Sequence, residues 1–500
     1  MTPTSPALSE VRRRYDLGHG TLVWRTQVAD LQTPVGVYLK LAMGRTDTFL
    51  LESIEGGSAR SRYSIIGMAP DLVWRCTGGS ATLNRTAQHD ADAFVAEAAA
   101  PLDSLRALIA EAQMDLPEHL PPMLGGLVGY LGYDMVRLME RLPDKNTDAL
   151  GLPDAILLRP TLFAVFDNVR DALTLAAPLY PRPGVTADAA WDMAQAALDA
   201  AEATLLRPFA PVAPPVALPP QPEPQSNMTP AAFMAIVDRM KEHIAAGDAF
   251  QIVPSQRFSV PFALPPFALY RALRRINPAP FLFYLDFGGF QVVGSSPEIL
   301  VRLRDGTVTI RPLAGTRPRG ATHAEDQALA ADLLADPKER AEHLMLLDLG
   351  RNDVGRVAAL GTVRVTDQFS IERFSHVMHI SSTVEGTARP GIDALDALIA
   401  GFPAGTLTGA PKISAMRIIE TLEPTRRGIY AGCIGYFAAN GTMDMCIGLR
   451  TAVVKDGTMY VQAGGGVVAD STAAGEYEET RQKSRALFRA AEEAVRFAAQ

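Results

Sequence analysis

Two pairs of glutamates are the residues best equipped for chemistry. Glu476 and Glu479 stand three apart in a stretch rich in Glu, Lys, Arg, Ala and Leu, which puts both carboxylates on one helix face. They follow Gly464, Gly465 and Gly466, where missing side chains open the backbone N–H groups to another group's approach. A carboxylate pair beside bare backbone can hold a hard cation together with an anionic ligand. The plain alternative is a close-packed glycine turn followed by a surface helix carrying a Glu479–Lys483 pair at i,i+4.

Glu339 and Glu342 repeat the spacing in PKERAEHLMLLDLGRNDVGR. Asp336 is a good N-cap there, Pro337 suits the first helical position, and Glu339 falls at N3. Glu342 shares a stripe with Leu346 and Leu349, so it faces an apolar surface, where a lone carboxylate asks for a cation or a proton. Glu339 reads equally well as a helix N-terminal charge. With no clustered Cys or His, four oxygen donors suit Mg²⁺ better than zinc. Mg²⁺ takes only one or two protein carboxylates directly, so two of the four would touch it and two would stand behind. His379, in the alternating run VMHIS, is by default a hydrogen-bonded core histidine. With a pKa near neutrality it is also a candidate base or neutral donor, and His376, nearer the strand start, is the weaker candidate. The glycine and threonine loop GTLTGAP can offer N–H groups to an anion, or simply end a loop.

Many elements must cooperate to bring these groups together. The chain has 500 residues, enough for two lobes, and 48% apolar with 20% charged residues is globular composition. A net charge of −8 gives no reason to expect nucleic acid or an anionic membrane as partner. Cys76, Cys433 and Cys446 make no metal-site spacing and fit a reducing compartment. With no apolar signal core or membrane-length run, the expectation is a cytoplasmic protein.

The first twenty residues read as a loose start. TLVWRTQVAD and VGVYLKLAM read as strands, FLLES and RYSIIGMAPDLVWRC as further strands, and Asp92 to Gln113 as helix. AILLRPTLFAVFDNVRDALTLAAPL gives two strands about an Asp-Asn turn, and Ala189 to Leu206 a helix. PFAPVAPPVALPPQPEPQ is an extended connector. It divides the chain into 1–207, 208–227 and 228–500. Thr229-Pro230 caps the next helix, Pro254 breaks a strand, and Asp305-Gly306 turns a hairpin.

The motifs PLAGTRPRG, ERAEHLMLLDLGRNDVGRV, FSHVMHI, GTLTGAPKISAM, RRGIYAGCIGY and QAGGGVVADSTAAGEYEETRQK occur in this order. Together they resemble the chorismate-utilising enzymes, and among these the large subunits of anthranilate synthases. The likeness runs from Met228 to the end and, more loosely, into FLLES and RYSIIG. It implies an α+β (mixed α/β) fold of large layered antiparallel sheets with flanking helices. The implied N-terminal lobe is regulatory and structural, and the implied catalytic region is C-terminal.

The resemblance also implies roles. Glu342 and Glu479 would bind Mg²⁺, with Glu339 and Glu476 in water-mediated support. Gly315, Thr316, Tyr430, Arg450, Gly464, Gly465, Gly466 and Lys483 would hold the substrate. Glu298 in SSPE would protonate the departing 4-hydroxyl of chorismate, and His379 would assist elimination of pyruvate. Relatives that add water at C2 carry a lysine base where Gln251 stands here. Aminodeoxychorismate synthases carry a lysine where PLAGT has Ala314. Both departures favour ammonia as nucleophile and anthranilate as product over the aminodeoxychorismate alternative. A catalytically decayed ligand-binding or scaffold relative is the non-enzyme alternative. The chain as given has no room for a glutamine amidotransferase, so a separate subunit is expected to supply ammonia. Ser53 in LLES, and Pro280, Phe281 and Leu282 in NPAPFL, would form the walls of a tryptophan feedback site. Read without the resemblance, these are a strand end and a proline turn.

Overall fold

The computed structural model describes residues 5–55, 59–209, 222–374 and 377–498, with backbone alone at 54, 55 and 59–61. Residues 210–221 of the Pro-rich connector, and His376, fall outside them.

Antiparallel strands dominate, and they interleave across the connector. Ala155–Asp167 is the hub of the first part, pairing with Ala59–Thr77, Gly126–Leu131 and Ala172–Leu179. From it the sheet continues in two directions into the second part. On one side Ala59–Thr77 pairs with Thr48–Glu55, which pairs with Phe281–Asp286, then Phe290–Ser296, Thr451–Lys455, Thr458–Gly464 and Ser255–Pro261. On the other, Gly126–Leu131 pairs with Cys433–Ala438, then Met443–Ile447, Ile299–Arg304, Thr307–Ile310 and Val377–Thr387. This mixed α+β body with one large antiparallel sheet agrees with the expected fold class. Its main core joins residues as distant as Trp74, Tyr130, Val301 and Met445. Among the described residues no helix is long and apolar enough to cross a membrane, and the three cysteines are free and buried.

The caps and turns follow the sequence. Asp336 accepts from the N–H groups of Lys338 and Glu339 at the head of helix Pro337–Gly355. Thr229 caps helix Pro230–Ala245, and Asp305 and Gly306 turn a hairpin with φ of 49° and 71°.

Three expectations fail. VGVYLKLAM is mostly helix, Pro34–Leu41, not strand: Thr33 caps it, Pro34 opens it, and the buried residues Pro34, Val37, Tyr38 and Leu41 have helical spacing. Its β-branched and aromatic composition is the misleading signal. Asp92–Gln113 is not one helix: only Pro101–Glu111 is helical, begun by Pro101, and Val95–Ala96 pairs as a strand. The start is not loose either, since Leu8–Asp16 is helical and Arg12 reaches Asp188 on helix Ala187–Leu205 at 2.6 Å.

Candidate active site

The two Glu-x-x-Glu helices bring their carboxylates within reach of each other's charge: Glu342 feels Glu479, and Glu476 feels Glu342. Helix Pro337–Gly355 lies across strands Leu313–Pro318 and Val377–Thr387, and helix Ala473–Glu493 begins after the glycine run, capped by Thr472. Between them runs Gln251–Ile252, paired with Gly409–Ala410 and bridged to Val467. Gln251 is buried and donates from Nε2 to Glu342 Oε1 at 3.0 Å.

Burial pushes the Glu342 carboxyl above its ordinary value, and Glu339 and Glu479 push it further. Burial likewise raises Glu476, which also feels Glu479 and Glu342. Glu476 Oε2 is buried with no hydrogen-bond partner. Glu339, near the helix start, is held by Arg317 at 3.3 Å, and its charge reaches Glu342. Glu479 pairs with Lys483 at 2.7 Å, in keeping with a surface helix, and Lys483 also donates to Gly464 O at 3.0 Å.

Bare backbone is a packing requirement here. A methyl group on Gly464 would stand 2.6 Å from the Tyr430 hydroxyl, and one on Gly465 2.5 Å from Glu476 Oε2. Both distances are below any real carbon contact, so the glycines let the carboxylates and the phenol close on the strand end.

The arrangement fits a hard cation. Mutually repelling carboxylates, one with an orphaned buried oxygen, call for positive charge. Among the described residues no three acidic, His or Cys side chains close round one point.

The remaining residues form the other wall. His379 Nδ1 lies 2.8 Å from Gly315 O and 3.1 Å from Thr316 Oγ1. A carbonyl only accepts, so Nδ1 carries the proton and Nε2 is left as an acceptor. Burial, with Arg450 and Lys483 adding to it, lowers His379 to about 4. Glu298 moves the other way: burial raises it to about 8, against the opposing pull of Thr406, the Leu313 N–H, Arg450 and Lys483. At neutral pH the site therefore holds a protonated carboxyl and a neutral imidazole.

Arg450 adopts a φ of 49°, and burial lowers its guanidinium pKa while Glu298 raises it. Among the described residues its side chain makes no ion pair, which is the condition of an arginine waiting for an anion. The Tyr430 hydroxyl is likewise buried and unpartnered. The charge of Lys483 reaches Glu298, His379, Glu342 and Glu476 alike.

Thr406 is the residue that sequence reasoning misses. Its hydroxyl is close enough to Glu298 to favour the ionised carboxylate, yet it is buried without a hydrogen bond of full geometry. GTLTGAP stands out in the sequence for its N–H groups, but Gly405–Thr408 is a helical turn, and what it brings to the site is a side chain. A cavity of about 30 Å³ lies against Glu298 and Thr406 and is otherwise lined mainly by apolar groups such as Ile310 and Leu346. That is room for one water.

The two segments expected to wall a tryptophan site also pair. Leu282 is the register partner of Glu52, and the register between Thr48–Glu55 and Ala59–Thr77 shifts at Ser53, a bulge. Ser53 is half-buried, with no side-chain hydrogen bond among the described residues. Glu52, part of LLES but given no role from sequence, is buried and ties the walls together. It accepts from Tyr270 at 2.5 Å and from Arg274 at 2.6 and 2.9 Å, both on helix Pro266–Ile276.

A family model described as chorismate binding enzyme matches residues 49–489. Anthranilate synthase component 1 of Cereibacter sphaeroides is 57% identical over 492 residues, 97% of each chain, and that of Pseudomonas putida 48% identical over 470 residues, 93% of each. Among solved structures, anthranilate synthase component I from Streptococcus pneumoniae aligns with a TM-score of 0.75 at 35% identity, covering 92% of this chain and 98% of that one. The menaquinone-specific isochorismate synthase of Escherichia coli shares the fold, with a TM-score of 0.70 at 20% identity over 97% and 99%. The chain belongs to the chorismate-binding enzymes and, within them, to the anthranilate synthase component 1 proteins.

Proposed function

We propose that this chain, a chorismate-converting lyase, makes anthranilate from chorismate and ammonia, with pyruvate and water as co-products. The observation that carries the proposal is a half-buried arginine, Arg450, with no ion pair among the described residues, whose charge reaches Glu298 and His379, beside two Glu-x-x-Glu pairs that feel each other and Lys483. Such a site takes an anionic substrate and a cation together. Glu342 and Glu479 would hold Mg²⁺, with Glu339 and Glu476 behind them. When bound, the ion would neutralise a substrate carboxylate. Arg450, Tyr430, Lys483, Gly315, Thr316, Gly464 and Gly466 orient the substrate, while the Gly465 N–H is already taken by the Pro254 carbonyl at 3.3 Å. Glu298, protonated at neutral pH, gives its proton to the 4-hydroxyl as ammonia bonds to C2 and water leaves. Loss of pyruvate then aromatises the ring, with His379 orienting the reacting atoms through its free Nε2. Gln251 stays an uncharged donor to Glu342, and Ala314 offers no amine for covalent attack, both in keeping with free ammonia as nucleophile.

The name component 1 of the relatives supports a second component, which we take to be a glutamine amidotransferase supplying ammonia in the cytoplasm. Tryptophan is the proposed inhibitor, bound between the Ser53 bulge and Pro280, Phe281 and Leu282, with the 1–207 part serving regulation.

The test is direct. Purified chain with chorismate, Mg²⁺ and ammonium at raised pH should release fluorescent anthranilate, and glutamine should not replace ammonium until the amidotransferase is added. A product of 4-amino-4-deoxychorismate overturns the reaction. Glutamine-dependent turnover by the chain alone, shown pure by mass spectrometry, overturns the partner.

A further inference from the structure

Arg450 stands in left-handed backbone, a conformation that a side-chain-bearing residue keeps only when its surroundings hold it. What holds its carbonyl is the N–H of Ser295, at 3.1 Å. Ser295 is completely buried, and its hydroxyl donates to the carbonyl of Asn277, whose Nδ2 returns a hydrogen bond to Ser295 Oγ at 3.4 Å. Asn277 is the C-cap of helix Pro266–Ile276. That is the helix whose Arg274 grips Glu52.

The sheet register runs the same way. Ser295 lies opposite Leu282, and Leu282 opposite Glu52. A helix end and a strand pair thus both converge on Ser295, and one further hydrogen bond leads to the substrate arginine.

We infer that Ser295 is a positioning residue for substrate binding. It locks the Arg450 backbone to the Asn277–Leu282 segment, so a ligand that shifts this segment changes how Arg450 presents its guanidinium to a substrate carboxylate. The regulatory half of this inference rests on the proposed tryptophan site, and the positioning half does not. The physical requirement is differential binding: a ligand biases the segment only if it prefers one arrangement of it.

The test uses the full chain with Mg²⁺ and with ammonium as nucleophile. Ser295→Ala removes the hydroxyl and leaves the N–H. Losing one buried hydrogen bond should raise the chorismate KM roughly 3–10-fold, with kcat falling less than KM rises. Asn277→Gly keeps the accepting carbonyl and should have a smaller effect, and it serves if Ser295→Ala folds poorly. By calorimetry, tryptophan should weaken chorismate binding to wild type by about 5–150-fold, and to Ser295→Ala by about twofold or less. Tryptophan should bind the free variant as it binds free wild type. An unchanged KM, or a fall in melting temperature and kcat without a KM change, overturns the positioning role. A raised KM with undiminished tryptophan antagonism overturns the coupling, as does loss of tryptophan binding itself. If wild type binds no tryptophan, the regulatory site and the coupling both fall, and KM alone decides the positioning role.

Discussion

Glu298 carries the sharpest consequence at the scale of single residues. Its folded pKa of about 8 lies above its ordinary 4.5, so the folded protein binds the proton more tightly than the unfolded chain. The folding stability that Glu298 contributes is therefore complete below the unfolded value, and it is lost as pH rises toward 8. Glu298→Gln should abolish this dependence. Thermal melts should find the variant more stable than wild type by about 2–4 kcal/mol at pH 9, since each tenfold difference in proton affinity between folded and unfolded chains is worth about 1.4 kcal/mol. At pH 4 the two should be closely matched. Turnover should fall by about 10²–10⁴-fold, and wild-type kcat should decline above pH 8 as the acid ionises. Equal pH dependence of stability in the two proteins would falsify the assignment of the raised group.

Glu342→Gln and Glu479→Gln should each lower turnover at least 10–100-fold, the loss typical even for groups that only support a metal. Both should also weaken Mg²⁺ binding by calorimetry, and Glu339→Gln should do so less, because Arg317 already pairs that carboxylate. Equal loss in all three would mean Glu339 touches the ion.

Some of this is legible in the sequence. The Glu-x-x-Glu spacing and the glycine run stand there as local patterns. That Gln251 donates to Glu342, or that Thr406 faces Glu298, depends on register between strands and helices far apart in the chain, which no local period records. Arg450 and Glu298 enter only through resemblance, because an arginine after a strand looks the same whether it has a partner or not.

At the scale of elements, a buried ion pair fastens the walls of the site. Arg427 pairs with Glu423 at 2.6 Å, both almost wholly buried, and donates to the carbonyls of Leu407 and Val253. It thus ties helix Lys412–Leu422, whose C-cap is Glu423, to the turn that carries Thr406 and to the segment beside Gln251. Its guanidinium also lies over the rings of Tyr133 and Tyr430. Arg427→Met would leave the buried Glu423 charge with only the Ser255 N–H and hydroxyl, at 2.8 and 3.0 Å, and denaturant unfolding should show a loss of about 3–5 kcal/mol. A loss under about 1 kcal/mol, the scale of an exposed pair, would show that the Ser255 hydrogen bonds suffice to hold the charge.

The Ser53 bulge sets a second expectation. Ser53→Phe should crowd the bulge with a large ring and relieve tryptophan inhibition while uninhibited turnover stays near normal. Undiminished inhibition, or wild type indifferent to millimolar tryptophan, would reject that pocket and leave the chemistry standing. Element boundaries are readable where caps announce them, as at Asp336-Pro337 and Thr229-Pro230. They mislead at 34–41, where β-branched side chains sit on a helix that tertiary burial selects.

For the whole molecule, the sheet makes the two sides of the connector depend on each other. Residues 228–500 produced alone would expose the strand edge that Thr48–Glu55 covers at Phe281–Asp286, and the edge that Gly126–Leu131 covers at Cys433–Ala438. We expect that fragment to be insoluble, and co-production with residues 1–207 to restore activity. A protease site engineered at 210–221 should, once cut, leave the two pieces joined on size exclusion and active. Soluble, active 228–500 by itself would contradict this. Composition announces the connector, but nothing in a one-dimensional pattern says that strands on either side of it will pair.

The pairing of Leu282 with Glu52 also has a meaning in time. Their separation, 282 − 52 = 230 residues, must be synthesised before that edge of Thr48–Glu55 finds its partner. At about 5–20 residues per second, this takes roughly 10–50 s. During that interval the nascent chain presents an apolar strand, TFLLES, with one side open. The fold that pairs Thr48–Glu55 with a strand so much later in the chain therefore leaves the newborn chain with one strand edge open until that partner emerges.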